Sequence, residues 1–196
     1  MSRLKLTPEQ LKNFGIELPK KKYVSPFDRL KNAISIMENS KKEDEVCFNL
    51  ESGSCILILK DIKLISNNDL LRNDNRKVNK FKKLWHQRII DIVKSNYIKE
   101  WDNIKNNEMI LECLYKPSHG KFMDPDAISA AFKSPLDGLV EAGLLIDDKP
   151  KHLPLIIPRQ EKNNKKRDDL IMVLSSIDDI NKYYTNTFKN FIETNR

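Results

Sequence analysis

Five side chains between residues 124 and 148 have the types and spacing that phosphodiester chemistry needs. Asp124 and Asp126 flank Pro125, Lys133 follows seven residues after Asp126, and Asp147 and Asp148 close the stretch DPDAISAAFKSPLDGLVEAGLLIDD. Magnesium takes oxygen ligands, usually a few carboxylates, with water and phosphate filling the remaining positions. A bound cation activates water and offsets charge that builds on a phosphate, and a nearby ammonium does the latter as well. The pattern makes Asp124, Asp126, Asp148 and Asp147 candidate ligands for Mg²⁺ or Mn²⁺. Lys133 is the candidate cation for the phosphate. Each residue also has a plainer use. Asp124 can be only a helix cap, Asp147 and Asp148 only a turn before Lys149-Pro150, and Lys133 only an exposed lysine.

The elements that must position these groups follow from the same stretch. Asp124 can cap a helix whose first residue is Pro125, which leaves Asp126 in the first turn, where the helix dipole favours negative charge. At about 100° per residue, seven residues bring Lys133 within about 20° of the Asp126 face. Pro135 removes a backbone donor, so a kink or a split is expected, with Ser134 as a new cap. Ile128, Ala131, Phe132, Leu136, Leu139 and Val140 are expected to face a sheet. Gly143 should end the helix, and LLI should lead into the Asp pair at a strand end.

The rest of the chain is basic. Its 196 residues carry a formal net charge of +7. That favours a polyanionic partner over an acidic surface, although an AT-rich genome also enriches Lys and Asn. Cys47, Cys55 and Cys113 form no CxxC pair and no zinc spacing. Their apolar surroundings suggest buried, reduced thiols in a cytosolic protein. The longest apolar runs, CILIL and LPLII, are far short of a membrane span, and no signal peptide is visible. A soluble cytoplasmic protein with no membrane partner is expected.

Three regions are expected: a helical N-terminal extension over 1–45, a body over 46–175 and a C-terminal helix over 176–196. In the extension, Thr7-Pro8-Glu9-Gln10 reads as a capping box. Ser25-Pro26 starts a helix with Leu30, Ala33, Ile34 and Met37 at helical spacing. In the body, CILILKDI reads as a strand, with VCFNL as its hairpin partner. Residues 66–76 read as a polar loop. Residues 77–99 read as a helix with Val78, Phe81, Leu84, Trp85, Ile89 and Ile92 inward, and Lys82, Lys83 and Arg88 away from that stripe. MILECLY, LPLII and DLIMVL complete the strands, with RQEKNNKKR as a hairpin-like basic loop. The order makes a small α/β or α+β domain on one mixed sheet. Ile180, Tyr184, Phe188, Phe191 and Ile192 give the last segment its helical spacing.

Basic loops can contact phosphates sequence-independently: Arg72 and Arg76; Lys116 and Lys121; and Lys165, Lys166 and Arg167. Phe122, close to the acids, can wedge into bases. His86, His119 and His152 are more economically packed or exposed than catalytic. Glu112 sits mid-strand as a supporting group or a solvent-facing one.

From Cys55 to Leu174 the chain resembles the RusA family of Holliday junction resolvases. CILILKDIKL leads to Ser66-Asn67-Asn68 and a helix, MILECLY leads to a basic loop, and DPDA opens the next helix. KSPLDGLVEAGLLIDD carries the pattern K-x-x-x-D-x-L-x-x-A-G-x-x-x-D-D. The resemblance implies a homodimeric, Mg²⁺-dependent endonuclease acting on four-way DNA junctions, most often in phages and prophages, with no small-molecule cofactor. It implies catalytic roles for Asp124, Asp126, Asp148 and Lys133. Two departures stand out: Ala127 replaces the usual Asn, and Lys133 lies about one helical turn further from Asp126. Two other readings stay open. One is a non-cleaving branched-DNA binder; the other is a basic protein-interaction module whose acids are only caps and turns.

Overall fold

The computed structural model describes residues 24–40, 43–119 and 122–177. The expected N-terminal capping box at 7–10, Lys121, and the C-terminal helical stretch from 178 onward lie outside the described residues.

Five strands form one mixed sheet, so the α+β class expected from the sequence is what the chain adopts. In chain order they are β1 (Glu45–Asn49), β2 (Ser54–Lys60), β3 (Met109–Lys116), β4 (Leu155–Gln160) and β5 (Asp169–Ser176). Their spatial order is β1-β2-β5-β3-β4. All neighbours are antiparallel except β3 and β4, which run parallel. The last strand therefore lies at the centre. The expected hairpin of VCFNL with CILIL is present, closed by a tight turn in which Gly53 takes φ 56. RQEKNNKKR is not a hairpin loop, because β3 separates β4 from β5. The segment crosses the end of β3 instead. The LPLII strand begins late, at Leu155.

Six helices lie among the described residues. Helix α1 (Pro26–Asn39) starts where Ser25 accepts a hydrogen bond from the Asp28 N–H at 3.1 Å. Its buried residues are Leu30, Ala33, Ile34 and Met37, the four that the spacing selects. They join the same core as the strands, so this helix packs as part of the body. Residues 66–76 are not simply loop. They hold α2 (Asn67–Leu71), capped by Ser66, which is too short to show a helical period. Helix α3 (Asn75–Asn96) begins two residues early because Asp74 caps it, accepting from the Arg76 N–H at 2.6 Å. Helix α4 (Trp101–Ile104) is a single turn around a buried Trp101. Helices α5 (Pro125–Ala131) and α6 (Lys133–Glu141) are the two halves of the expected split helix.

Arg88 does not point away from the apolar stripe; its side chain is 3% exposed. Seven residues after Phe81, it returns to the inward face of α3. Its five N–H donors are all engaged. Nε and Nη2 donate to the two oxygens of Asp44 at 2.6 and 2.7 Å, and Nη1 donates to Ser40 Oγ at 2.9 Å. The remaining two reach the carbonyls of Lys60 and Asp61. Asp44 is equally buried. Cys47 is exposed, unlike Cys55 and Cys113, because alternation along β1 puts it opposite Val46 and Phe48. Burial pushes the Cys55 thiol up to about 12, with Cys47 adding to the shift.

Arg88→Met should cost about 3–5 kcal/mol, because Asp44 is left charged and buried without its partner. Urea unfolding would show a lower midpoint at unchanged slope. Arg88→Met/Asp44→Leu should recover much of the loss.

Candidate active site

The segment that ends in Asp124 is fixed from two strands. Asp168, just before β5, accepts from the Ser118 N–H at 2.8 Å and from Ser118 Oγ at 2.7 Å. It also pairs with Lys63 at 2.6 Å and accepts from the Tyr115 hydroxyl. Gln160, at the end of β4, makes two reciprocal bonds with the backbone of Met123, each 2.8 Å. Both ends of the connection from β3 to α5 are thereby held. Burial works against the Asp168 charge, but Lys63, Tyr115 and Ser118 outweigh it and hold the carboxyl below its ordinary range. Burial and the Asp168 charge push the Tyr115 hydroxyl up.

Asp124 caps α5 with extended backbone geometry, yet its side chain makes no cap hydrogen bond. Asp126 follows in the first turn. Both are exposed, and neither carboxylate has a hydrogen-bond or ion-pair partner among the described residues.

The helix breaks at buried Phe132, which serves as the junction residue in place of the expected Ser134. Pro135 then sits in the first turn of α6, where its missing N–H costs nothing. Helix α6 packs on α3 rather than on the sheet. A Cβ on Gly138 would meet Ile89 Cδ1 at 2.8 Å, so a larger residue here would have to displace the end of the Ile89 side chain. Ile128, Ala131, Phe132, Leu136 and Leu139 are buried as expected, and Val140 only partly. Gly143, at φ 78, ends α6. Its N–H donates to Val140 O at 3.0 Å and the Leu144 N–H donates to Leu139 O at 3.0 Å, a Schellman motif. This turn sends Leu144 and Leu145 into the core. LLI is not a strand; it bends and returns the chain to the start of α6.

That return brings Asp148 to Lys133, fifteen residues away in sequence, in an ion pair. Lys133 also pairs with Asp137 at 2.8 Å. Hydrogen bonds to Asp137 and then Asp148 raise the Lys133 pKa, so its charge is secure at neutral pH. Asp147 pairs with Lys149 at 2.6 Å, which holds its carboxyl low.

The structure thus joins Lys133 to Asp148 but does not gather all the expected ligands. Among the described residues no three His, Cys, Asp or Glu side chains converge as a metal group. The split explains this: Asp126 lies in the first turn of α5, Lys133 begins α6 beyond the break, and Asp148 sits with the lysine. Of the expected ligands, the carboxylates left without a partner among the described residues, and so free to take a cation, are those of Asp124 and Asp126. Two carboxylates are enough when phosphate and water complete the shell.

The basic residues divide among separate surfaces. Arg72 is exposed at the end of α2, and Arg76 near the start of α3. Lys116 lies 4.0 Å from Glu161. Lys165, Lys166 and Arg167 line a cleft of about 630 Å³ with Lys60 and Asp61. Arg167 is engaged by Glu43 and Asp169. Phe122 is 56% exposed, two residues before Asp124. His119 is exposed, His86 Nδ1 pairs with Glu141 at 2.5 Å, and Glu112 pairs with Arg159 at 2.5 Å. No helix among the described residues is long and apolar enough to cross a membrane. No family model and no curated protein sequence matches the chain.

Asp168 should set the acid limb of stability. Its depressed folded pKa contributes stability that is complete above about pH 4 and lost as pH falls through the folded value. The stability difference between the wild type and Asp168→Asn should be flat at neutral pH and shrink in acid. Urea titrations across that range would measure it.

Proposed function

We propose that the chain is a Mg²⁺-dependent endonuclease that resolves four-way DNA junctions by paired nicks, acting as a homodimer. The observation that carries the reading is Lys133, held by Asp148 from fifteen residues away on the same split-helix unit as two partnerless carboxylates. A lysine held by two carboxylates keeps its charge and its place. That is the requirement for a group that stabilises a phosphorane-like transition state.

Asp124 and Asp126 would hold the metal together with a phosphate oxygen. The bound ion would supply an activated water and charge neutralisation at the scissile phosphate. Asp148 and Asp137 position Lys133 rather than ligate. Phe122 presents an exposed aromatic ring two residues before the acids, suited to an unpaired base at a branch point. RusA-like motifs support the substrate class. The non-cleaving binder is favoured by one observation, the separation of Asp148 from the Asp124 and Asp126 pair, and the same experiment decides between them.

End-labelled junctions with mobile cores should show paired nicks in Mg²⁺ and none in EDTA. Asp126→Asn should abolish nicking, and Lys133→Ala should lower kcat by about 10²–10³-fold. Junction binding without nicks in Mg²⁺ or Mn²⁺ would establish the binder instead. Asp148→Asn should lower kcat less and move the alkaline limb of the rate to lower pH, because Lys133 loses one of its two carboxylates. A merely structural Asp148 would leave that limb in place.

A further inference from the structure

The first turn of α3 holds two cations, Arg76 and Lys77, and no acid of its own, against the helix dipole. From Asn75 to Ile90 the helix carries Arg76, Lys77, Lys80, Lys82, Lys83 and Arg88, and after the capping Asp74 its first acid is Asp91. By contrast, α1, α2 and α5 each place an aspartate in the first turn. Cations near a helix N-terminus are unfavourable by a few tenths of a kcal/mol or more. Local rules broken without a structural return mark functional surfaces. For Arg88 the return is the buried clamp, and for Lys77 it is the Phe27 ring 3.5 Å below its ammonium. Arg76 has no such return, and Lys83, two turns further along, has no partner among the described residues either. Both are exposed, and their side chains have no hydrogen bond or ion pair among the described residues.

These two residues line one open groove of about 850 Å³ with Asn79, Lys80 and Gln87. All five lie on one helical face. Leu84 and Ile90 contribute apolar floor, and the His86–Glu141 pair closes the side against α6. Lys80 is shared with Glu38 at 2.6 Å. Arg76 and Lys83 are about 10 Å apart along the axis, far enough for each cation to meet a different phosphate of one strand. No Phe, Tyr or Trp lines the groove, so it offers no broad ring for unpaired bases to stack on. Asn79 and Gln87 can donate to phosphate oxygens beside the cations.

We infer that this groove is a phosphate track for one strand of a duplex nucleic-acid arm. It lies apart from Lys133 and its Asp148: Glu141, which borders the groove, ends α6, and Lys133 begins that helix about 12 Å away along the axis. The inference rests on the proposed junction substrate only for its class of partner.

The test uses the full chain and a fluorescein-labelled linear duplex, read by anisotropy over a KCl series. Arg76→Glu/Lys83→Glu should weaken binding at least tenfold. Arg76→Gln/Lys83→Gln should lower the slope of log K against log salt by about two, one for each phosphate that is no longer neutralised. Lys94→Glu, on the same helix outside the groove, should change affinity less than twofold. None of the three should lower the melting temperature, and replacing Arg76 at the helix start should if anything raise it. Wild-type affinity in both double variants, an equal loss in Lys94→Glu, or no duplex binding by the wild type would each overturn the inference. Junction nicking is scored separately. Groove-dependent binding without nicking would sustain the track and sink the nuclease. Nicking with groove-independent affinity would do the reverse.

Discussion

The buried pair of Arg88 and Asp44 is the constraint on which the rest of the arrangement depends. It ties α3 to the chain between α1 and β1 and to the exit of β2 in one hydrogen-bonded knot. Asp61, in that exit, adopts φ 55, a conformation uncommon outside glycine. Its carbonyl is held by Arg88 and its N–H by Asp169 at 3.2 Å. A buried ion pair adds little net stability over apolar residues of the same shape, since both charges must leave water. Its return here is specificity. With every guanidinium donor engaged, α3 can dock in only one rotation. That rotation turns Ile89 towards Gly138 and leaves Arg76 and Lys83 in solvent.

The same docking sets the acidic unit. Gly138 lets α6 approach α3 closely, the Schellman turn at Gly143 folds the following residues into the core, and Asp148 returns to Lys133. Bond by bond this is local, but it needs α3 as a fixed wall. On the other side, the central position of β5 brings Asp168 under the loop that precedes α5. A strand that joins the sheet last in sequence thus anchors a segment fifty residues upstream.

Much of this is legible in the sequence, and what is not has a common cause. Short-range chemistry reads correctly: the Ser25 cap with its four inward residues, the β1–β2 hairpin, the Asp124-Pro125 start and the Gly143 stop. Lys133 on Asp137 is an i,i+4 pair that the spacing already contains. Arg88 is misplaced when residue type is weighted above helical angle, although its seven-residue offset from Phe81 puts it inward. Asp168 and Gln160 leave no local signal; their partners lie fifty and thirty-seven residues away. RQEKNNKKR reads as a hairpin because sequence neighbours usually pair, and here β3 intervenes. The metal ligands are over-counted for a related reason. Proximity in sequence at both ends of a helical unit does not bring its two ends together.

Charge separates the two surfaces of this molecule. Residues 124–148 hold six acids against one lysine, in a chain whose net charge is +7. Without a cation, a polyanion is repelled from the acidic unit and attracted elsewhere. On the proposed reading, binding and chemistry are carried by different parts: a cationic helix face for the backbone, and a carboxylate pair for a phosphate bridged by a divalent ion. The ion pairs of Lys133 fit that division. If the lysine were unpaired, it would draw the backbone to the acidic unit without metal. Bound to Asp148 and Asp137, it offers little net charge at long range. It becomes effective only when a phosphate is close enough to compete for the same ammonium. On that reading, proximity rather than long-range attraction would decide which phosphate is cut.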